Sequence, residues 1–323
     1  MTEMLTAVKE RAPMAELMDE ARDFFADEYG LVFDDNNQLT EPLNDNQVEV
    51  LEGWRQSTFI EGIEMPDITT FARKAFLAQA IMPQRNAEGN ITYLFGKGIG
   101  AEITLQGEVA GRNKRHDAPY RPHADFEIYA INEVDPPAGF NTFRRIFGNQ
   151  ETYPVENTKG LRDLPVRYLH DTAEEVSLGG VTFLVPRLEA QFVDKLEVGN
   201  IRVETNLRGH SDAELLAQTY ELDRTEVHDI LDRHVIQPAV QATDNARQLR
   251  KLKKLAEIVG PDGFADATIG LGQKGYLDLR DYGLGAELLG MDEPDAIGLL
   301  DQAVTQALAA KHERADQALM AAR

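Results

Sequence analysis

Residues 120–131, YRPHADFEIYAI, set two carboxylates on one face of an apolar segment, and the reading of the chain turns on what those acids are for. In an extended segment side chains alternate between faces. Ala124, Phe126, Ile128 and Ala130 therefore point one way, and Asp125, Glu127 and Tyr129 point the other. One face is core and the other is acidic. Two carboxylates held side by side repel, and burying part of that charge is costly unless a cation or a shared proton neutralises it. A divalent ion such as Mg2+ or Mn2+, which takes oxygen ligands, answers that requirement. A solvated strand face is the other reading of the same pattern.

Upstream, DITTFARKAFLAQAIM (67–82) opens on Asp67 as an N-cap and spaces Ile68, Phe71, Phe76, Ala80 and Ile81 as a helix does. ITYLF (91–95) reads as a strand, GKGIGA (96–101) as a glycine-rich turn, and EITLQGEVA (102–110) as a second strand-like run. Gly96, Gly98 and Gly100 could present backbone N–H groups to phosphate oxygens, since glycine permits positive φ and close approach. An ordinary strand-to-strand turn uses the same residues. Between 111 and 123, Arg112, Lys114, Arg115, His116, Arg121 and His123 make the densest local positive charge in an otherwise acidic chain.

Downstream, LPVRYL (164–169) reads as a strand and VSLGGVTFLVP (176–186) as a hairpin. A helix is expected from about 186, carrying Glu189, Asp194 and Lys195, and the chain beyond 211 reads as mainly helical. At the other end, a helix over 14–28 aligns Leu17, Met18, Ala21, Phe24 and Phe25 on one stripe, within a strongly acidic segment that extends to about 62. The expected organisation is an acidic helical extension over 1–64, an α+β core over 65–210 and a helical domain over 211–323.

The order of these pieces resembles the nucleotidyltransferases of the DNA polymerase beta superfamily, and within it the abortive-infection type toxins. There a helix and strand lead to a glycine-rich turn and then a strand bearing Asp-x-Asp/Glu. Arg121-Pro122-His123-Ala124-Asp125-Phe126-Glu127 follows the branch's R-x-[ST]-x-D-[FIL]-[DE], with His123 in place of the hydroxyl residue. Gly98-Ile99-Gly100-Ala101 approximates its glycine turn. LVPRLEAQFVDKLE resembles its helix with a phosphate-facing lysine, here Lys195, and Arg208-Gly209-His210-Ser211-Asp212 resembles the Arg-x-Lys-Asp segment after it.

The resemblance implies a nucleotidyltransferase-type mixed sheet flanked by helices. It implies Asp125 and Glu127 as ligands of Mg2+ or Mn2+, and Gly98, Gly100, Arg121 and Lys195 as nucleotide-binding groups. It implies Asp212 as the residue that orients the acceptor or acts as base. The substrates would be an NTP and an RNA end, such as tRNA, or a protein hydroxyl, with an antitoxin as a further partner. The chain departs from the pattern where a later strand often supplies a third carboxylate, since LPVRYL carries Arg167 there. That keeps open a catalytically inactive nucleotide-binding or interaction scaffold, or an unrelated α+β protein with solvated acids. Lys195 also reads as an exposed helix lysine, and Ser211-Asp212 as a helix start.

Bulk properties narrow the rest. A formal charge of −22 over 323 residues argues against a protein that coats nucleic acid non-specifically, leaving only local contact. With no cysteine there is no disulfide framework, thiolate metal site or cysteine nucleophile. The N-terminal stretch lacks the pattern of a signal peptide and no apolar run is long enough to span a membrane, so a cytoplasmic location is expected. Trp54, His170, His228 and His234 show no ligand spacing. The cations Arg247, Arg250, Lys251, Lys253 and Lys254 read as a solvated helix face, with a track for nucleic acid as the other reading.

Overall fold

The computed structural model describes residues 13–58, 63, 65–123, 127–130, 139–147, 164–201, 207–236, 250, 254, 257 and 292–321. The chain is mixed α and β, mostly helical, with small antiparallel sheets. It divides into two compact units. The first comprises Met1–Pro154 and Ala173–Pro186, and the second Val155–Thr172 and Arg187–Arg323. The boundaries expected from composition, at 64/65 and 210/211, fall inside these units.

The first unit is organised around α3 (Ile68–Ile81). Asp67 caps it by accepting the Thr70 N–H at 2.8 Å, as the sequence predicts. Phe71, Ala72, Ala75, Phe76, Leu77, Ala78 and Ala80 are all buried, so α3 is enclosed on nearly every side and works as the central rod of its core. On it packs α1 (Met14–Tyr29), the helix expected at 14–28, which buries Leu17, Met18, Ala21 and Phe25 and ends on Gly30 in the left-handed conformation. The capping box of Asn44 and Gln47 starts α2 (Asp45–Ser57), whose Trp54 meets Phe25 edge-on at 5.0 Å. The acidic N-terminal helices are thus built into the core of this unit.

Helix α5 (Phe140–Phe147) packs on α2 and α3, and the described residues of the first unit also form two small sheets. Strand β1 (Tyr93–Phe95) pairs antiparallel with β3 (Ile128–Ala130), in register Phe95 to Ile128. Strands β2 (Glu108–Val109), β4 (Glu174–Leu178) and β5 (Val181–Val185) form the other, in that sequence-to-space order with β5 outermost. The expected hairpin is β4–β5, and its Gly179-Gly180 turn has φ of 58° and 88°, the positive values a two-residue hairpin turn requires.

Gln84 joins the two sheets. Its Nε2 donates to the Leu184 carbonyl at 2.7 Å and the Tyr93 carbonyl at 3.3 Å, and its Oε1 accepts the Leu184 N–H at 2.6 Å. Its backbone carbonyl accepts the Thr92 N–H at 2.8 Å. A side-chain amide therefore does for β5 what a neighbouring strand would.

Two segments differ from expectation. The run 97–106 is helix α4 (Lys97–Gln106), where the sequence reads as a turn followed by a strand. Ile99, Ala101, Ile103 and Leu105 are all buried, so the helix has no polar stripe, and the Ile-Thr-Leu alternation inside it imitates a strand. Likewise 166–171, read as a strand, is the short helix α6 (Val166–Asp171). Pro165 precedes its first turn, and the buried Val166, Leu169 and His170 follow the i, i+3, i+4 rule.

The second unit contains α6, α7 (Leu188–Ile201), α8 (Leu207–Thr219), α9 (Arg224–Ile230) running into a π-helical turn (Leu231–Ile236), and the long α10 (Glu293–Ala321). The expected helix near 186 is α7. Its broadest contact is with α8, and α10 packs on α8, α9 and the π turn. His228 on α9 reaches Asp316 on α10 at 2.9 Å, and His312 on α10 returns the contact to Asp232 at 2.8 Å. Each helix thus carries a His-x3-Asp pair that crosses to the other. Arg224 bonds Asp316 through two nitrogens at 2.6 Å, and this contact, with His228, holds the Asp316 carboxyl below its usual range.

Two predictions follow from this packing. Gln84→Leu removes three hydrogen bonds and strands buried backbone groups of β1 and β5, so urea unfolding should register a loss of about 2–5 kcal/mol; a change within about 0.5 kcal/mol would contradict the sheet-joining role. In the second unit, burial and then Arg233 lower the pKa of His234, whose ring lies 4.1 Å from that of Tyr168. The folded state then resists protonation that the unfolded chain accepts, so His234 costs stability as pH falls below about 6.5 and nothing above it. An NMR titration should find the His234 midpoint below 6.5 and moving up in Tyr168→Ala; an unmoved midpoint would refute the assignment.

Candidate functional site

The glycine turn opens α4. Gly96 stands at its N-cap in extended conformation, and its N–H donates to the Glu127 carbonyl at 2.9 Å. Lys97 has φ of 47°, a left-handed value uncommon outside glycine. Close packing favours glycine at all three positions. A Cβ on Gly96 would lie 2.1 Å from the Tyr129 ring, one on Gly98 would lie 2.9 Å from His123 Nδ1, and one on Gly100 would lie 2.5 Å from the Phe95 carbonyl oxygen. The first turn of α4 is therefore pressed onto β1, β3 and His123, and helix geometry gives its leading N–H groups no intrahelical acceptor.

His123 is tied from below. Its Nε2 lies 2.9 Å from Glu102 Oε2, and both residues are buried. Glu102 also accepts from Gln106 Nε2 at 2.9 Å and from the Arg121 backbone N–H at 3.4 Å. The His123 carbonyl accepts the Met65 N–H at 2.9 Å. In this arrangement Glu102 holds His123, and His123 in turn ties its stretch of backbone to Met65. Sequence reasoning missed Glu102. Its one signal was a lone carboxylate inside the apolar run 99–105. A buried carboxylate needs a partner, and the partner here is 21 positions away.

Of the predicted residues, Gly98, Gly100, Arg121 and Glu127 belong to this part of the first unit. Glu127 and Arg121 are half-buried. Asp125 lies outside the described residues. A glutamate oxygen is the kind of donor that a hard cation takes, so Glu127 fits Mg2+ or Mn2+ in kind. Among the described residues no group of three or more histidine, aspartate or glutamate side chains is arranged to hold a metal.

Lys195 and Asp212 belong to the second unit. Lys195 on α7 donates to Asp212 Oδ2 on α8 at 2.9 Å, with both side chains nearly buried. Neither alternative expected for them holds: Lys195 is not an exposed helix lysine, and Asp212 lies within α8 (Leu207–Thr219) instead of at a helix start. The pair is a buried ion bridge between the two helices that share the most contact in this unit. Nearby, Glu189 is fully buried and accepts from Arg187 and from the Asp223 N–H, so α7 is fastened to the start of α9 as well.

No protein-family model matches the chain, no curated protein matches its sequence, and no solved structure matches its fold. No helix among the described residues is long and apolar enough to cross a membrane.

The close contacts grade the glycines. Gly100→Ala meets a strand carbonyl that cannot give way, so thermal or urea unfolding should show a loss of about 2–3 kcal/mol; Gly98→Ala meets a side-chain ring and should lose less. Gly53→Ala, in α2 with open space around it, should gain about 0.5–1 kcal/mol. Equal effects at the three positions would contradict the packing.

Proposed function

We propose that the chain is a metal-dependent nucleotidyltransferase, moving an NMP from an NTP to an RNA end or a protein hydroxyl. One observation carries this reading: the Gly96 N–H donates to the Glu127 carbonyl, so the acidic segment adjoins the glycine-rich first turn of α4. A metal-nucleotide needs carboxylates beside backbone N–H groups that can approach phosphate. In this reading Asp125 and Glu127 hold Mg2+ or Mn2+, which when bound supplies charge neutralisation for the triphosphate. Gly98, half-buried in the first turn, lets a phosphate approach the backbone, while Gly100 seats that turn on β1 with its N–H given to the Gly96 carbonyl at 2.9 Å. Arg121 contributes positive charge, and its backbone is positioned by Glu102. The acceptor classes, tRNA among them, and a toxin-like role with an antitoxin partner rest on the family resemblance alone.

A second reading, a catalytically inactive scaffold that binds nucleotide or a partner, is favoured by the Lys195–Asp212 bridge. A lysine so engaged meets phosphate only by giving up a buried partner, and breaking such a pair is costly. The two readings separate in one assay. The protein is incubated with each α-labelled NTP, Mg2+ or Mn2+, and total cellular RNA and protein, with Asp125→Asn alongside. The transferase reading expects label on an acceptor with wild type and background with the variant. Retained NTP binding without label would sink it in favour of the scaffold.

A further inference from the structure

A cleft in the first unit shares no residue with the glycine turn or the acidic segment. It measures about 520 Å3, within the range of sites that enclose small molecules. Its walls carry the carboxamides of Asn36, Asn37, Gln38 and Gln79 and the exposed carboxylate of Asp35, while the carboxamide of Gln84 behind them is committed to Leu184 and Tyr93. Arg85 lines it too, but its guanidinium is committed to the Gly89 carbonyl and to Glu175, both at 3.0 Å.

Both walls are held in place. On one side Asp34 Oδ1 accepts the N–H groups of Asn36 at 2.8 Å and Gln38 at 2.9 Å, and Asp34 exchanges backbone hydrogen bonds with Gln38 and Asn37. On the other, Gln79 Nε2 donates to the Thr182 carbonyl at 3.3 Å, and Gln84 is fixed between the two sheets. The Gln38 Oε1 atom, by contrast, is buried and has no hydrogen-bond partner. A buried amide oxygen is destabilising until an O–H or N–H donor meets it.

We propose that this cleft binds a ligand with vicinal hydroxyls, either a sugar or the ribose of a nucleoside. A carboxamide presents an acceptor and a donor side by side, a carboxylate accepts at two oxygens, and each hydroxyl donates once and accepts twice. Neighbouring hydroxyls on a ring therefore match the amide edges of Asn36, Asn37, Gln38 and Gln79, and a turn of the Gln38 side chain toward the cleft lets one of them supply the donor that its buried oxygen lacks. Anionic ligands fit poorly. Asp35 lines the cleft, and the lining guanidinium is already paired with Glu175. The cleft is independent of the transferase reading, and its test is chosen to be so.

The full chain, labelled with 15N, is titrated with D-glucose, D-ribose, adenosine, 2′,3′-dideoxyadenosine and argininamide. Saturable shifts at residues 35–38 and 79–84 are expected with a diol-bearing compound and not with the dideoxynucleoside; glucose against ribose or adenosine then tells a sugar from a nucleoside. Gln38→Met and the surface variant Asp35→Ala should each weaken binding about fivefold, roughly one hydrogen bond. The proposal is overturned if no diol gives saturable shifts at these residues, if dideoxyadenosine or argininamide binds as well as the diols, or if both variants bind as wild type does.

Discussion

The first unit depends on one side chain standing in for a strand. Neither of the two sheets among its described residues stands well alone, since one is a two-stranded ribbon and the other is a hairpin with a two-residue third strand. The Gln84 carboxamide pairs with the peptide of Leu184 and reaches the carbonyl of Tyr93, making the outer edge of β5 continuous with β1. The fit is demanding because the amide is buried and every unmet polar atom there is costly. Around it, Tyr93 bonds the Met82 carbonyl and Phe95 meets Phe183 at 5.8 Å, so the apolar core closes on the same seam.

That seam decides where the chemistry-bearing residues sit. With β1 fixed against β5, the residue after β1 must turn sharply into α4, and the glycines at 96 and 100 allow a helix to begin against the backbone it has just left. β3 pairs with β1 and so delivers Glu127 to the N-terminus of α4. The His123–Glu102 pair holds the approach to β3 onto the same helix. Strand, turn, helix and Glu127 are thus four parts of one constraint, and the proposed phosphate-handling site rests on it.

What was legible in the sequence was local. The Asp67 cap, the stripe of α1 and the Gly179-Gly180 turn each declare themselves within a few residues, because capping, periodicity and positive φ are local requirements. The helix at 97–106 was not legible. Periodicity reports contrast between faces, and a segment buried all round has none. LPVRYL misled for a related reason, since β-branched and aromatic residues favour strands only where a neighbouring strand receives them. The pairs Gln84–Leu184, Glu102–His123, His228–Asp316 and His312–Asp232 join residues 21 to 100 positions apart, and no spacing rule anticipates them. Lys195 and Asp212 were singled out for phosphate and acceptor, and what the fold makes of them is a buried bridge.

The proposed nucleotide site joins the first turn of α4 to the acidic segment, and backbone amide shifts on titrating the full chain with ATP and Mg2+ report on both at once. Saturable shifts are expected at residues 96–100 and at Glu127, and they should disappear in Asp125→Asn while the rest of the spectrum is retained. Saturable ATP shifts confined to other residues, or none at all, would contradict the proposed site.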